Sequence, residues 1–393
     1  MSEPAGATVP QVPLWRRPRA RGLFYQVLLC VVVGALAWAI AGNVSENLAR
    51  AKIASGFGFW NVTAGFDISQ TLISYSAQAS TYGRAFWVGL LNTLLVAVLG
   101  IVLATILGFV IGIGRLSQNW LVAKLAGGYV ELIRNIPLLL QLLFWYNAVL
   151  KALPEIRESI ALPGGGYLNN RGLFLPDPHV AGGGTVGLAL LAGIVAAIGF
   201  GALHDKLGSL GRGAPRAITT VLLILVPPAV AAAVVGVSVA FEFPEMGRFN
   251  IRGGLEVLPE FVALLLGLSI YTAAFIAEAV RAGLLAVPKG QTEAASALGL
   301  RRGAALRLVI VPQALRVIIP PLTNQYLNLT KNSSLAVAIG YPDLVQIFTG
   351  TVLNNTGQAV EVVVITMAVY LSLSLATSAL MNWYNAWITP AER

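Results

Sequence analysis

A lysine among amides is the first feature of this chain with chemical content. Lys331 stands in the run "NQYLNLTKNSS" (Asn324–Ser334), with Asn328, Thr330, Asn332, Ser333 and Ser334 close by. Apolar residues border the run on both sides. A buried cation with polar companions is expensive in lipid and by default marks a path for a polar solute. The competing reading has Lys331 snorkelling to a membrane surface while the amides join helices. Asn92 and Thr93, in another apolar run, are candidates for the same path. Glu278 and Arg281 stand three apart, the spacing at which an acid and a base pair on one helical face. That pair reads as interfacial structure, with gating as the alternative.

A second feature is the polar interlude "GQTEAASALGLRRGAALRLVIVPQAL", Gly290–Leu315, between two long apolar segments. Thr292 reads as an N-cap, and Glu293 falls in the first turn, where the helix dipole favours an acid. Ala294, Ala295, Ser296, Ala297 and Leu298 permit a helix, and Gly299 stands where a glycine would end it. A helix of about six residues does not hold alone in water, so it must dock on something. A second helical segment, Arg301–Val311, follows, and Pro312 reads as its interruption. By physics alone the interlude is either a structured connection with basic anchors or a docking helix for a cytoplasmic partner.

Several chemistries are missing. There is no G-x-x-x-x-G-K-[ST] loop, no G-x-S-x-G elbow and no H-E-x-x-H pair. His179 and His204 are not spaced as metal ligands, and the single cysteine, Cys30, allows no intrachain disulfide. The chain is therefore expected to bind no cofactor or metal and to catalyse no reaction. The net charge of +9 calls for no nucleic acid, because an excess of cytoplasmic Lys and Arg gives such a value in a membrane protein. The glycine-rich stretches "PGGGYLNNRG" and "AGGG" read as turns.

The elements that must carry these residues are membrane spans. The 393 residues are 56% hydrophobic and only 11% charged, against about 25% charged in soluble domains. Apolar runs near the length that crosses a bilayer fall at about 24–41, 86–114, 136–150, 185–203, 217–241, 261–278, 317–338 and 362–387. The expected fold is an all-α polytopic membrane protein of eight helices. The first run is read as an uncleaved anchor, with a signal peptide as the alternative. Basic residues favour one set of connections by roughly two to one, which predicts cytoplasmic N- and C-termini. The interlude then lies in the cytoplasm. Uphill transport would draw its energy from another subunit, because charged groups inside the spans are few and several long runs hold no acid.

Glu293-Ala294-Ala295, Gly299 and Val309-Ile310-Val311-Pro312 resemble the EAA loop of binding-protein-dependent ABC transporter permeases. "ELIRNIPLLLQLLFWY" (Glu131–Tyr146), "YTAAFIAEAVRAGLLAVPKGQ" (Tyr271–Gln291) and "PPLTNQYLNLTKNSSLAVAIG" (Pro320–Gly340) resemble the polar amino-acid branch of that family. The likeness covers about half of the chain. It implies a five-helix permease core within residues 86–390. Residues 1–85 are then an addition, with an inserted loop and helical hairpin at about 153–258 and a coupling loop at 284–316. An insert of this kind resembles the general L-amino-acid permeases. The resemblance implies Glu293, Ala294, Ala295, Gly299 and Pro312 as contacts for a cytoplasmic ABC ATPase dimer, which would hold the ATP-Mg. It implies a second permease subunit, a periplasmic amino-acid-binding protein and a bacterial inner membrane. Similar permeases carry Asp directly after the lysine; Asn332 stands there instead, which favours neutral or broad substrates over cationic ones. An ion-coupled carrier and a non-transporting scaffold or receptor are the rival readings.

Overall fold

The computed structural model describes residues 18–50, 55–180, 183–207, 216–236, 238–247 and 250–388. Helix α1 (Pro18–Arg50) precedes α2 (Tyr82–Gly114), α3 (Trp120–Asn135) and α4 (Leu138–Leu143), the last running into a π-helical turn, Phe144–Leu150. The insertion follows, with strands β1–β4, helices α5 (Gly183–Leu207) and α6 (Arg216–Val235), and strands β5–β8. Then come α7 (Pro259–Leu285), α8 (Lys289–Ala297), α9 (Arg302–Ala305), α10 (Val311–Asn332), α11 (Leu353–Thr356) and α12 (Ala359–Ile388). Among the described residues seven helices are long and apolar enough to cross a bilayer, or eight if the bent pair α3–α4 forms one span. Eight helices were expected. The third of them is not the single run 136–150, however, but two arms bent by 104°.

That bend has a local cause. Pro137 disfavours helical backbone at the residue before it, and Ile136 is extended (φ −98°, ψ 125°). The break orphans the last carbonyls of α3. Gln141, buried one turn into α4, donates its amide to the carbonyls of Ile133 and Ile136, both at 2.9 Å. Arg134 lies over the Phe275 ring at 5.0 Å. The Arg-x-x-Pro-Leu-x-x-Gln pattern is thus a folding device, a proline that breaks a helix and a glutamine that closes the break.

The contacts divide the chain into two units. One comprises residues 1–92 and 342–373, the other residues 93–341 and 374–393. The core of the second is α7. Pro259 and Glu260 open it, a proline that loses no hydrogen bond there and an acid at the dipole's positive end. Ala263, Leu264, Leu268, Ala273, Ile276, Ala277 and Val280 along it are wholly buried. Lipid offers apolar groups as good a home as a neighbouring helix does, so close packing at small residues holds such spans together. Gly108 and Gly112 of α2 meet α7 on this principle. A Cβ on Gly108 would stand 2.5 Å from Ile276 Cγ2, and one on Gly112 would stand 2.7 Å from the Ala277 carbonyl. Gly283 of α7 faces Ile318 of α10 in the same way, at 2.3 Å.

The first unit has a different core. Phe59, Tyr82, Phe86 and Phe348 are buried there; Trp60 packs edge-on or tilted against Phe59, Phe86 and Phe348, and Tyr82 packs edge-on against Phe59.

The insertion departs from expectation. Residues 153–258 were read as a turn-rich loop and a helical hairpin. The hairpin is present, and Gly193 of α5 lets α6 approach so closely that a Cβ would stand 2.4 Å from the Leu223 carbonyl. The glycine-rich segment 163–172, though, is strands as well as turns, whereas of the AGGG stretch Gly183 and Gly184 open α5 and residues 181–182 lie outside the described residues. β1 (Ile160–Leu162), β2 (Gly166–Asn169), β3 (Gly172–Leu175) and β8 (Leu255–Val257) form an antiparallel sheet in the order β1-β2-β3-β8. Strands β4 (Asp177–Val180) and β5 (Val239–Glu242) pair, as do β6 (Glu245–Met246) and β7 (Ile251–Arg252). Ile156, Phe174 and Ile251 make a small core against Tyr167. Strands this short carry too few alternating positions for period-two patterning to stand out, and the turn glycines dominate the composition. The closing pair β3–β8 also joins residues some eighty positions apart, a contact made only in the fold.

Candidate coupling and transport site

Helix α8 begins at Lys289, after Pro288, and not at Thr292. Thr292 is an interior residue whose carbonyl accepts from Ser296 Oγ at 2.9 Å. The proline supplies a fixed backbone at the entry, so no side-chain cap is needed. The exit follows the expectation. Gly299 has φ +73°, its N–H donates to the Ser296 carbonyl (2.9 Å), and Leu300 N–H donates to the Ala295 carbonyl (3.1 Å). This is a Schellman end, which needs a left-handed residue where Gly299 stands.

The helix docks through one face. Ala295 is 2% exposed, and α8 packs against α9 and the π-helical turn Leu306–Ile310. Gln313 Nε2 donates to Gln291 Oε1 at 3.1 Å and fixes the start of α8 to α10. Glu293, Ala294 and Ala297 remain exposed, and Leu298 is 80% exposed at the tip. A large apolar side chain so placed is worth covering. In sequence Leu298 reads only as a residue that permits the helix, because its exposure depends on what packs beside it.

Pro312 does not interrupt the second segment. It is an exposed residue in the first turn of α10, where its missing N–H costs little. The wider π-helical turn just before it carries the helical course from α9 into α10, and Arg302–Ile339 forms one long candidate span. Behind the interlude, Glu278 of α7 is shared by two arginines. Arg281 Nη2 donates to it at 2.6 Å, and Arg115, just past α2, also pairs with it. The predicted Glu278–Arg281 pair is therefore one part of a clamp that ties the end of α2 to α7.

Lys331 stood between two readings, a buried path and a membrane surface. Its side chain is exposed on this chain, together with Asn324 and Asn328. The spacing places all three on one face of α10, while Leu322 and Leu329 are buried. The polar stripe thus looks away from the core of its unit. The serines behave differently. Ser333 is buried and donates to the Thr330 carbonyl (2.8 Å), and Ser334 donates to the Lys331 carbonyl (2.7 Å). These bonds draw the end of α10 into a 3-10 turn, Ser333–Ile339, closed by Gly340 at φ +78°. Asn332 is half-buried where the two meet.

Asn92 belongs to the first unit and Thr93 to the second; both are fully buried. The Asn92 amide donates to the carbonyls of Gln70 (2.9 Å) and Pro342 (2.8 Å), which fastens the loop between α1 and α2 and the segment after Tyr341 to α2. A polar cleft of about 330 Å³ lies between α10 and α12, lined by Pro320, Thr323, Asn324, Leu327, Ser378, Asn382 and Asn385. Ser378, Asn382 and Asn385 were missed in sequence. Their spacing of four and three places them on one face of α12, and that spacing was the available signal.

Long apolar helices able to cross a bilayer, a short exposed helix between two of them and a polar stripe along one of them fit a membrane transport domain of permease type. Residues 104–391 match the family described as binding-protein-dependent transport system inner membrane component. The chain belongs to that family. It is 54% identical over 378 residues to a general L-amino acid transport system permease protein of Rhizobium johnstonii, covering 96% of this chain and 94% of the relative. A putative amino-acid ABC transporter permease protein of Escherichia coli is 51% identical, with 96% of each chain covered. A glutamate/glutamine/aspartate/asparagine transport system permease protein of Rhodobacter capsulatus is 43% identical, with 93% of each covered. The chain is an integral inner-membrane subunit, and ATPase and binding-protein partners follow from its family.

Proposed function

We propose that the chain is the permease subunit of an ATP-driven importer of L-amino acids with broad specificity. The exposed, end-capped helix α8 carries the reading. It is too short to hold alone, it is anchored through Ala295 and Gln291, and it offers Leu298 with a flat alanine surface to a partner. Glu293, Ala294, Ala295, Gly299 and Pro312 form or frame this contact with an ABC ATPase dimer, which holds the ATP-Mg. The basic-residue asymmetry puts α8 and both termini in the cytoplasm. A second permease subunit completes the pathway, and Lys331, Asn328 and Asn324 face it, an exposed stripe that lipid alone would not favour. Asn332, Ser333 and Ser334 shape the end of that stripe, while the buried Asn92 and Thr93 serve as structural supports. Transport runs by alternating access. Closure of the ATPase pair moves α8, and the Arg115–Glu278–Arg281 clamp passes that movement to α2 and α7.

Reconstitution tests this. Proteoliposomes holding the chain with a second permease subunit and the ATPase should take up L-amino acids only with ATP and a soluble amino-acid-binding protein. Lys331→Ala should lower the uptake rate or change substrate preference. Uptake by this chain alone under an ion gradient would overturn the reading in favour of a secondary carrier. A preparation that binds partners but gives no flux would favour a scaffold.

A further inference from the structure

The inserted strands form a cleft that the transport reading does not use. Its volume is about 300 Å³, and Glu155, Ile156, Arg157, Asn170 and Arg171 line it. Arg157 lies on a 3-10 turn, Ile156–Glu158, and Arg171 lies on the turn between β2 and β3. The two turns are bolted together. Asn170 N–H donates to the Pro154 carbonyl at 2.9 Å. Asn169, wholly buried, donates to Ser159 Oγ (2.9 Å) and accepts from Arg171 N–H (2.8 Å). Ser159 Oγ in turn donates to the Ile156 carbonyl at 2.5 Å, and Ile156 is anchored in the small core. Backbone and buried amide therefore fix where both arginines emerge.

Neither guanidinium has a hydrogen bond or ion pair among the described residues. Glu155 on the rim and Glu256 across β3 temper the positive field without satisfying it, and Arg171 acts on Glu256 only through space. Five directional donors on a planar guanidinium suit a carboxylate. The cleft is not shaped for a small molecule on its own. Such sites are mostly apolar and enclose their ligand. Here both arginines are exposed and only Ile156 of the lining is buried.

The position of the cleft narrows the occupant. Strand β8 leads directly into the start of α7, and α8 follows directly from the end of α7. The 27 residues of α7 extend about 40 Å, enough to cross a bilayer. The inserted sheet and the coupling helix thus lie on opposite membrane faces.

We propose that Arg157 and Arg171 form a carboxylate-receiving cleft for an acidic protrusion of the soluble binding protein, which docks on the face opposite α8. This rests on the reading of the chain as an importer subunit. The docking contact is electrostatic, so it steers association and weakens with salt.

The test uses the complete complex in lipid nanodiscs, together with the amino-acid-binding protein that supports uptake in the reconstitution above. ATPase stimulation is followed against binding-protein concentration. Arg157→Ala with Arg171→Ala should raise the half-saturating concentration about tenfold, since each exposed pair contributes up to about a factor of five, and should leave the maximal rate unchanged. The dependence on salt should flatten. Arg157→Lys with Arg171→Lys keeps the charge but not the fork, so it should restore the salt dependence and only part of the affinity. An unchanged half-saturating concentration alongside normal uptake overturns this inference alone. Failure of the wild type to take up amino acids with any binding protein overturns the transport reading, and this inference with it. L-glutamate at millimolar concentration is the second probe. Direct binding of it that the alanine variant loses, with binding-protein affinity intact, replaces the protein partner by the free amino acid and overturns the assignment.

Discussion

Gly299 offers the sharpest prediction about coupling. Its backbone sits at φ +73°, and no heavy atom lies within 4 Å of where a Cβ would stand. A substitution there meets no clash, so its whole effect is the backbone penalty. An L-residue in that region costs about 1–2 kcal/mol, less for Asn and more for a β-branched side chain. Helix α8 has only nine residues and rests on one buried alanine, so it has little stability in reserve. A loss of about 1.4 kcal/mol lowers the formed population of its C-terminal cap about tenfold relative to the uncapped form. Gly299→Ala should therefore reduce ATP-driven uptake several-fold, Gly299→Val should nearly abolish it, and Gly299→Asn should retain most of it. All three should still insert and assemble. Hydrogen exchange supplies the structural readout, because the amides of Gly299 and Leu300 are the two that the cap engages. They should exchange faster in the order Asn, Ala, Val. Wild-type uptake and wild-type protection in Gly299→Val would refute the reasoning.

Two further predictions concern the frame around the site. Gly112→Leu should lower the melting temperature in detergent or prevent assembly, since a Cβ there lies 2.7 Å from the Ala277 carbonyl and 2.8 Å from Val280 Cβ. Overpacking of that kind costs roughly 1–3 kcal/mol or more, whereas Gly114→Ala, with ordinary contacts from 3.6 Å, should be nearly silent. Asp343, in the connection before α12, is wholly buried, and burial pushes its carboxyl up to about 7 against opposing bonds from Gln346 N–H and Tyr370 Oη. Its folded value exceeds the unfolded one, so the native state holds the extra proton. The resulting stability is fully present below about pH 4 and is lost as pH rises towards 7, at up to about 1.4 kcal/mol per pH unit. Melting of wild type relative to Asp343→Asn should therefore fall between pH 5 and pH 8; a constant difference would discard the assignment.

Much of the transport apparatus was legible without coordinates. The apolar runs gave the spans because the bilayer imposes a length and forbids unpaired backbone. Glycine at the end of α8 could be placed because a left-handed residue is a local requirement. Lys331 stood out as a cation within a span, but which way it looked did not. Burial depends on neighbours far along the chain, and α10 turned Leu322 and Leu329 inward and the lysine outward. The same reason hid the polar face of α12, whose asparagines carry meaning only opposite Thr323 and Asn324.

The division follows the range of the forces. Composition and short-range rules determined the membrane class, the helices and the need of a short helix to dock, and resemblance to a family marked its loop as EAA-like. Tertiary structure decided what each polar group does. It gave Glu278 a second arginine, gave Gln141 the carbonyls that a proline had orphaned, and closed the inserted sheet by pairing β3 with β8. Hydrogen bonds and ion pairs have a reach of a few ångströms. Only the folded chain brings such distant residues within it.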